Sequence, residues 1–379
     1  MKKIGMITFH ASHNCGSILQ TYALQTTLKQ KYKEDPEVIN FYNQGSKNMY
    51  SFYIKNDSFK SVIKNILYFL NFKVLRRKYF QYDNYINQHI NITKETYHTL
   101  EELKEANLEN KYDAFICGSD QVWNITCKDA DDAYFLPFVK NKLKIAYAPS
   151  LGARNIVEYT DNVEKYKKYL KDISYLSVRE FNGKKWLEDL IQREVKVLPD
   201  PTLLLDPKDY EKIETPIETK DDYIFYYSYS YSKEITDIVL KFAKMMNLKV
   251  IVLNGKKWID YKMFLKNVKV PRYEEPGVFL SLMKNAKLVL TTSFHGAVFA
   301  SLYKKNFWVI KSGEMQGKDD RVYTLLKQLG LLDRFLPLES KIDENLLKEM
   351  DYSGYDQKLE NLRENAYKFL NEALSEGEK

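Results

Sequence analysis

Residues 293–296, Ser-Phe-His-Gly, lie between an apolar run (288–292) and a helix-forming segment (297–303). A second apolar run follows that segment. The order strand, turn, helix, strand predicts a parallel βαβ unit. His295 would then lie where a helix begins, at the carboxyl end of a strand. An imidazole in that position could exchange protons with a bound substrate.

The turn that carries His295 has a second property. Backbone N–H groups at a helix N-terminus attract anions, and Gly296 would let a ligand approach the backbone. Together with an imidazole, this suits acid–base chemistry on a phosphorylated or carboxylated substrate. The segment alone leaves another interpretation open, in which His295 is a helix cap or a packed turn residue.

Two further candidates follow predicted strands. Asp120 comes just after the strand at residues 114–117, in the sequence Gly-Ser-Asp, and could be a catalytic carboxylate. Gly-Ser-Asp is equally typical of a turn or a helix cap. Arg179 follows the strand at residues 175–178 and could bind a carboxylate or phosphate through two of its guanidinium nitrogens, or pair with a local acid.

Residues that could contact a ligand also lie in polar turns. Lys318 and Arg321 flank a helix start and could close over an anion, although a solvated turn explains them as well. His10 and His13 follow the first strand, and either could contact an acceptor substrate. Asp129, Asp131 and Asp132 do not have the spacing of metal ligands, and we interpret them as surface charge.

The first strand is followed by a second Gly-containing turn. Gly16 and Ser17 could cradle an oxygen-rich ligand or simply begin a packed helix.

Composition narrows the class of protein. The chain has 379 residues, 44% hydrophobic and 29% charged, which favours a folded protein of two domains. The net charge of +7 comes without a long basic block, so nucleic-acid binding is not expected. The chain has three cysteines, an odd number, and none forms a C-x-x-C pair, which indicates a reducing compartment. No signal peptide or membrane span is recognisable, and we expect a cytoplasmic location.

Alternating strands and helices predict an α/β protein with parallel sheets. We expect two Rossmann-like domains facing a cleft, at residues 1–210 and 220–350, separated by a Pro- and Asp-rich linker. A charged C-terminal helix at residues 351–379 can cross back to the first domain. Ligands of such sheets bind at the carboxyl ends of the strands.

Residues 58–82 combine large apolar side chains with six lysines and arginines. The pattern predicts an amphipathic, basic helix. Such a helix could lie on a membrane surface, or it could pack its apolar side against the core and expose its basic side.

The motifs, taken together and in this order, resemble the polysaccharide pyruvyl transferase family. The resemblance extends from the first strand to about residue 325. It rests on Asn14-x-Gly16-Ser17, Gly118-Ser119-Asp120-Gln121-Val122-Trp123-Asn124, Ser177-Val178-Arg179-Glu180, Asp200-Pro201-Thr202, Ser293-Phe294-His295-Gly296-Ala297 and Arg321.

This resemblance implies a GT-B-like fold and transfer of pyruvate from phosphoenolpyruvate onto two sugar hydroxyls, with no metal or other cofactor required. The acceptor would be a cell-surface glycan or its lipid-linked precursor, which allows peripheral contact with the inner face of the plasma membrane. We expect the first domain to bind the acceptor and the second the phosphoenolpyruvate.

The resemblance also implies roles for individual residues. His295 would be the general acid and Asp120 the base. The donor would be bound by Arg179, Arg321, Ser293, Gly296 and Lys318. The acceptor would be bound by Asn14, Gly16, Ser17, His10, His13, Gln121 and Trp123.

Two other functions fit the same fold. A glycosyltransferase would use a nucleotide sugar and release a nucleotide. A non-catalytic glycan-binding protein would consume no phosphoenolpyruvate.

Overall fold

The computed structural model describes residues 2–51, 53–219, 221–228, 231–311 and 319–375. Two parallel sheets form the framework, with seven strands in the first and six in the second. Helices lie on the faces of both sheets, so most strands are buried on both sides and read as apolar runs.

The first sheet has the strand order β3-β2-β1-β4-β5-β6-β7. Its strands are β1 (Lys3–Ile7), β2 (Asp35–Phe41), β3 (Ile92–Tyr97), β4 (Ala114–Cys117), β5 (Leu143–Ala146), β6 (Tyr175–Val178) and β7 (Lys196–Val197). The second sheet has the order β10-β9-β8-β11-β12-β13. Its strands are β8 (Tyr223–Tyr227), β9 (Lys249–Val252), β10 (Val268–Lys269), β11 (Leu288–Thr291), β12 (Phe307–Lys311) and β13 (Phe335–Pro337).

Helices connect the strands. In the first half of the chain they are α1 (Cys15–Lys31), α2 (Gln44–Met49), α3 (Phe59–Leu70), α4 (Phe72–His89), α5 (Leu100–Glu105), α6 (Ile156–Tyr159), α7 (Val163–Lys171) and α8 (Phe181–Ile191). Later helices are α9 (Pro207–Glu211), α10 (Lys233–Met246), α11 (Gly255–Asp260), α12 (Pro276–Asn285), α13 (Phe294–Leu302), α14 (Arg321–Leu329) and α15 (Tyr355–Ser375). Short 3₁₀ helices lie at Leu108–Asn110, Asp132–Phe135, Pro201–Leu204, Met263–Lys266, Leu332–Arg334 and Glu344–Leu347.

Both sheets have the strand order expected of Rossmann-like domains. In each, the order reverses beside the first strand, between β1 and β4 and between β8 and β11. Loops that leave neighbouring strands in opposite directions there open a crevice at the carboxyl ends of the strands. The predicted βαβ unit is confirmed, because β11, α13 and β12 follow one another and the two strands pair in parallel.

Not every element matches the prediction. Residues 58–82 do not form one helix, because α3 ends at Leu70 and α4 begins at Phe72. Strands β2 and β3 lie in segments where we predicted no strand. Both belong to the first sheet, and β2 pairs directly with β1. Among the described residues, no helix is both long and apolar enough to cross a bilayer.

The two domains share one hydrophobic core. A single cluster of buried side chains includes Ile4 and Leu19 from the first domain and Phe225 and Phe299 from the second. The 3₁₀ helix Pro201–Leu204 lies at the centre of this contact, against α1, α13 and α15. A large apolar contact of this kind holds two domains in a fixed arrangement more firmly than a polar one.

Helix α15 returns from the second domain to the first, as expected for the C-terminal segment. Arg363 donates hydrogen bonds to the backbone oxygens of Leu203 and Leu205, each at 2.8 Å. Further along, the ring of Phe369 packs against Tyr147 and Tyr175 of the first domain. The chain end therefore joins the two domains by both polar and apolar contacts.

We expect Phe369→Ala to lower the free energy of unfolding by about 3 kcal/mol, because it leaves a cavity between α15 and the first sheet. Urea denaturation of the purified protein measures this change. Lys368→Ala is the matched control, since Lys368 is exposed on the same helix and its removal is expected to cost less than about 0.5 kcal/mol. Equal stability of the two variants would contradict the docking role of Phe369.

Candidate active site

A cavity of about 360 Å³ opens between the two domains at the carboxyl ends of both sheets. Its walls come from loops that follow strands β1, β4, β6, β11 and β12 and from the turn that contains Met49 and Tyr50. Ionisable side chains dominate its lining. They are Asp120, Lys128, Asp129, Arg179, His295, Lys311, Asp319 and Arg321.

Asp200 lies behind this cavity and holds its rear wall together. The carboxylate is 1% exposed. Oδ2 accepts a hydrogen bond from Arg179 at 2.7 Å and from the Ser119 hydroxyl at 3.3 Å, and it lies 3.4 Å from Nε2 of His295. Oδ1 accepts from the backbone N–H and the hydroxyl of Thr202. Although burial opposes ionisation, His295 and Arg179 hold the pKa of Asp200 well below its ordinary value.

The position of His295 depends on both domains. The ring belongs to the first turn of α13, and its Nε2 faces Asp200 of the first domain. Its other nitrogen lies against Gly16 at the start of α1, where an added Cβ would be 2.1 Å from Nδ1. Only glycine at position 16 therefore leaves room for the imidazole in this orientation.

Arg179 links three parts of the site. Besides the bond to Asp200, its guanidinium lies 3.8 Å from Oδ1 of Asp120 and stacks over the ring of Phe294 at 4.1 Å. The side chain is almost completely buried. A guanidinium fixed on two carboxylates and an aromatic face has little rotational freedom, so it presents its charge in one direction.

Asp120 is held by the first domain alone. Its Oδ2 accepts a 2.5 Å hydrogen bond from the Ser17 hydroxyl, and its Oδ1 accepts from the backbone N–H of Gln121 at 2.8 Å. The backbone has a positive φ of 66° at this residue, in the tight turn after β4. The carboxylate is thus positioned at the carboxyl end of the sheet, as the sequence predicted.

The opposite wall carries a paired cation. Arg321 contacts Asp319 through two parallel hydrogen bonds of 2.8 and 2.7 Å, and Lys311 donates to the backbone oxygen of Asp319 at 2.7 Å. The bonds from Arg321 outweigh burial and lower the pKa of Asp319 to about 2. Lys318, the other predicted residue of this turn, lies outside the described residues.

Three helices direct their N-termini at the cavity. Residues of the first turns of α1, α13 and α14 line it, namely Ser17, His295 and Arg321 with their neighbours. In these three first turns, all within the described part of the chain, there is no acidic side chain. The partial positive charges of the helix ends therefore add to those of the arginines and favour an anion in the cavity.

Ser293 and Asn14 act as caps of these helices. The Ser293 hydroxyl accepts a hydrogen bond from the backbone N–H of Gly296 at 3.3 Å, and Asn14 Oδ1 accepts from the N–H of Gly16 at 2.9 Å. Gly296 is needed for packing, because an added Cβ would lie 2.1 Å from the Thr291 hydroxyl. Its lack of a side chain is thus explained without a ligand.

Four predicted acceptor residues do not line this cavity, namely Gly16, which packs against His295, and Trp123, His10 and His13. Trp123 is a correction, since it is 0% exposed, stacks on Phe135 and donates to the backbone oxygen of Tyr134, which makes it a core residue. His10 is buried against Asn40, and burial lowers its pKa.

His13 lies further out, stacked on Tyr82 and 3.3 Å from Asp83. Gln121, in contrast, does line the cavity.

The structure adds site residues that we did not predict. Asp129 is buried and lines the cavity, so it is not surface charge, and burial raises its pKa to about 6. Lys311 and Asp319 complete the wall around Arg321. Asp200 belongs to the Asp-Pro-Thr motif of the family resemblance, but the sequence predicted no role for its side chain.

Glu180 lies directly behind the guanidinium of Arg179 and is completely buried. Its Oε1 accepts hydrogen bonds from the Ser150 hydroxyl and the Leu151 N–H, while its buried Oε2 has no hydrogen-bond partner within the described chain. Burial raises the pKa of Glu180 to about 7, although Arg179 and Arg321 favour its ionised form. Besides Asp129, the site thus has a second carboxyl group whose pKa is raised toward neutral pH.

In the described ranges, no three His, Cys, Asp or Glu side chains lie close enough together to hold a metal ion.

The raised pKa of Glu180 predicts a pH-dependent stability. A carboxyl that ionises more easily in the unfolded chain destabilises the fold as pH rises from its unfolded pKa near 4.5 to about 7. Glu180→Gln removes this effect and keeps the Oε1 acceptor. Relative to the parent, the variant should therefore gain roughly 2 kcal/mol between about pH 5 and about pH 8. Urea denaturation at both pH values measures it, and a pH-independent difference would contradict the prediction.

Comparison with solved structures identifies the fold. The chain is similar to Staphylococcus aureus MnaA in its co-structure with UDP, with 14% identity, a TM-score of 0.53 and coverage of 98% of this chain and 97% of that one. A crystal structure of UDP-N-acetylglucosamine 2-epimerase gives 11% identity, a TM-score of 0.51 and coverage of 98% and 90%. Two Rossmann-like domains facing a cleft, with a returning C-terminal helix, make this fold GT-B-like.

Comparison with curated proteins finds no match. A sequence model described as polysaccharide pyruvyl transferase, in contrast, matches residues 14–314. This range covers most of the chain and includes Asn14, Asp120, Arg179, Asp200 and His295. Most residues that surround the cavity therefore lie inside the matched region, with Asp319 and Arg321 just beyond its end, and the chain belongs to the polysaccharide pyruvyl transferase family.

Proposed function

We propose that the protein transfers pyruvate from phosphoenolpyruvate onto two hydroxyls of a sugar in a cell-surface polysaccharide or its precursor, forming a cyclic ketal and releasing phosphate. The observation that carries this proposal is the buried His295–Asp200–Arg179 cluster at a cavity lined by further cations. Such a cluster combines a proton donor with an anion site, and both are needed to activate phosphoenolpyruvate.

The donor is a small molecule with a phosphate and a carboxylate. Arg179 and Arg321 approach the cavity from opposite domains, and Lys311 lies beside Arg321. Arg321 is bound to Asp319 through two hydrogen bonds. A phosphate group can compete for the same guanidinium with equally placed oxygens, so Asp319 would keep Arg321 oriented until the donor arrives.

His295 supplies the proton that starts the reaction. In this scheme Nε2 is directed at the carboxylate of Asp200, and the methylene carbon of the donor takes its proton from Nδ1, which glycine at position 16 leaves uncovered by a side chain. The C2 carbon then becomes electrophilic. Asp200 touches no substrate in this scheme and is a positioning residue that keeps the ring oriented.

Asp120 completes the scheme as a base. It removes a proton from the first sugar hydroxyl as that oxygen bonds to C2, which gives an intermediate that still carries the phosphate. The second hydroxyl then attacks C2, and the bond between C2 and the phosphate oxygen breaks. The proton of this second hydroxyl leaves with the phosphate. One donor and one diol thus yield one ketal and one inorganic phosphate.

The acceptor is proposed to lie on the first-domain side of the cavity, beside Asn14, Ser17 and Gln121. The same wall carries Asp120, so the base and the attacking hydroxyls would share one side. The second domain would bind the donor through the residues around α13 and α14.

The experiment is to incubate the protein with phosphoenolpyruvate and free or lipid-linked acceptors containing galactose, mannose or N-acetylhexosamine. Phosphate release together with a product heavier by one pyruvate less one water supports the proposal. Tight binding of a nucleotide sugar with release of nucleotide would overturn it in favour of a glycosyltransferase. Glycan binding without phosphate release from any acceptor in the panel would favour a non-catalytic protein.

We expect His295→Asn to reduce kcat by about 10³-fold, because the proton donor is lost. Asp200→Asn should reduce kcat by at least about 10²-fold and move the pH profile of kcat, since it removes a negative charge 3.4 Å from Nε2 of His295. Steady-state kinetics over pH measure both effects. Asp206→Asn is the matched control, because Asp206 is largely exposed in the same segment and pairs with Arg363. A parental pH profile for Asp200→Asn would contradict its positioning role.

Gly16→Ala tests the position of the imidazole without removing a reactive group. The new methyl group would displace the His295 ring, and a shift of about 1 Å costs on the order of 10²-fold in rate. We therefore expect a large fall in kcat with a native circular dichroism spectrum. A folded variant with parental kcat would show that the Gly16 contact is irrelevant to catalysis.

A further inference from the structure

Helix α3 buries few of its apolar side chains. On its inward side Tyr68 packs with Leu75 and Ile259 and its hydroxyl donates to Asp260 at 3.0 Å, while Lys64 lies 3.6 Å from the same carboxylate. Its outward side is apolar. Large exposed side chains recur there at helical spacing, namely Phe59, Val62, Ile63, Ile66, Phe69 and Leu70.

The exposure of this outward side is unusually high. Phe59 is 80% exposed, Phe69 65% and Leu70 72%. A soluble surface helix turns such a stripe toward the core. A contiguous apolar surface facing outward marks a site of contact with a membrane or another macromolecule.

The charge of residues 58–82 favours a membrane over another macromolecule as the partner. Residues 58–82 contain six lysines and arginines and no aspartate or glutamate, although the whole chain is nearly balanced at 58 basic and 51 acidic residues. Apolar side chains combined with basic residues are typical of helices that lie in the interface of an anionic bilayer.

We propose that the outward side of α3, in a segment that contains six basic and no acidic residues, binds the surface of an anionic membrane. The helix would lie parallel to the bilayer, with its apolar side chains among the lipid headgroups and upper acyl chains. This proposal rests on the proposed function in one respect. If the protein transfers pyruvate to a glycan, binding to a membrane makes a lipid-linked glycan the natural acceptor.

The cavity next to α4 supports this connection. It has a volume of about 380 Å³ and is lined by Leu75 and Tyr82 of α4 and by Lys256 and Lys257 of the second domain. Helices α3 and α4 both contact α11, which carries these lysines. The cations suit the phosphate that joins a glycan to a lipid carrier.

This cavity also leads toward the active site. It shares Asn14, Met49 and Tyr50 with the cavity that contains Asp120 and His295. An acceptor could thus reach the catalytic residues from the membrane-facing helix without leaving the protein surface.

Flotation with vesicles tests membrane binding independently of catalysis. The parent should float with vesicles of equal phosphatidylglycerol and phosphatidylcholine at least tenfold more than with phosphatidylcholine alone. Phe59→Ser, Ile66→Ser and Phe69→Ser combined should reduce flotation at least tenfold. Because these side chains are exposed, the triple variant should keep its fold and its activity on a soluble acceptor.

The matched control replaces exposed apolar residues elsewhere, by Val157→Ser and Tyr159→Ser, and should float like the parent. Equal flotation of the triple variant and the parent would overturn the proposal. So would a dimer of the parent in analytical ultracentrifugation that the triple variant abolishes, because a second copy of the chain would then cover α3. Neither result depends on phosphate release, so the proposed reaction is tested separately.

Discussion

The carboxylate of Asp200 is the interaction on which the site depends. It is buried where a negative charge is unstable by itself, and it is stabilised by an arginine after β6, a hydroxyl after β4 and an imidazole from the other domain. Removing one partner of a buried charge usually costs more than the contact itself contributes. Arg179 and His295 are therefore held in place by the carboxylate as firmly as they hold it.

Around this carboxylate, the fold concentrates positive potential. The order of the strands reverses in both sheets at the cavity, so loops and helix N-termini from the two domains converge there. The resulting field comes from backbone dipoles in addition to the charged side chains. Arg179 and Arg321 then only need to orient an anion that the fold already attracts. A site built in this way requires rigid helix starts, and Asn14 and Ser293 provide them as caps.

The sequence predicted features that depend on neighbours in the chain. The unit around His295, the turn at Asp120 and the strand before Arg179 all follow from local apolar runs and turn residues. It did not predict β2 and β3, which begin with Asp35 and Ile92 in segments without a clear alternation.

Long-range contacts account for the remaining differences. Trp123 follows a turn that lines the cavity, yet its ring enters the core because Phe135 and Tyr134 receive it. No local pattern shows that Asp200 would meet His295 across nearly a hundred residues.

The shared core of the two domains has a consequence for folding. Apolar side chains from both sheets form one cluster, and α15 ties the end of the chain back to the first domain. Neither domain can bury its apolar surface fully without the other, so the two are expected to unfold in a single cooperative transition. The active site, which takes its ionisable groups from both, then exists only in the completely folded protein, and no partly folded fragment retains a fraction of it.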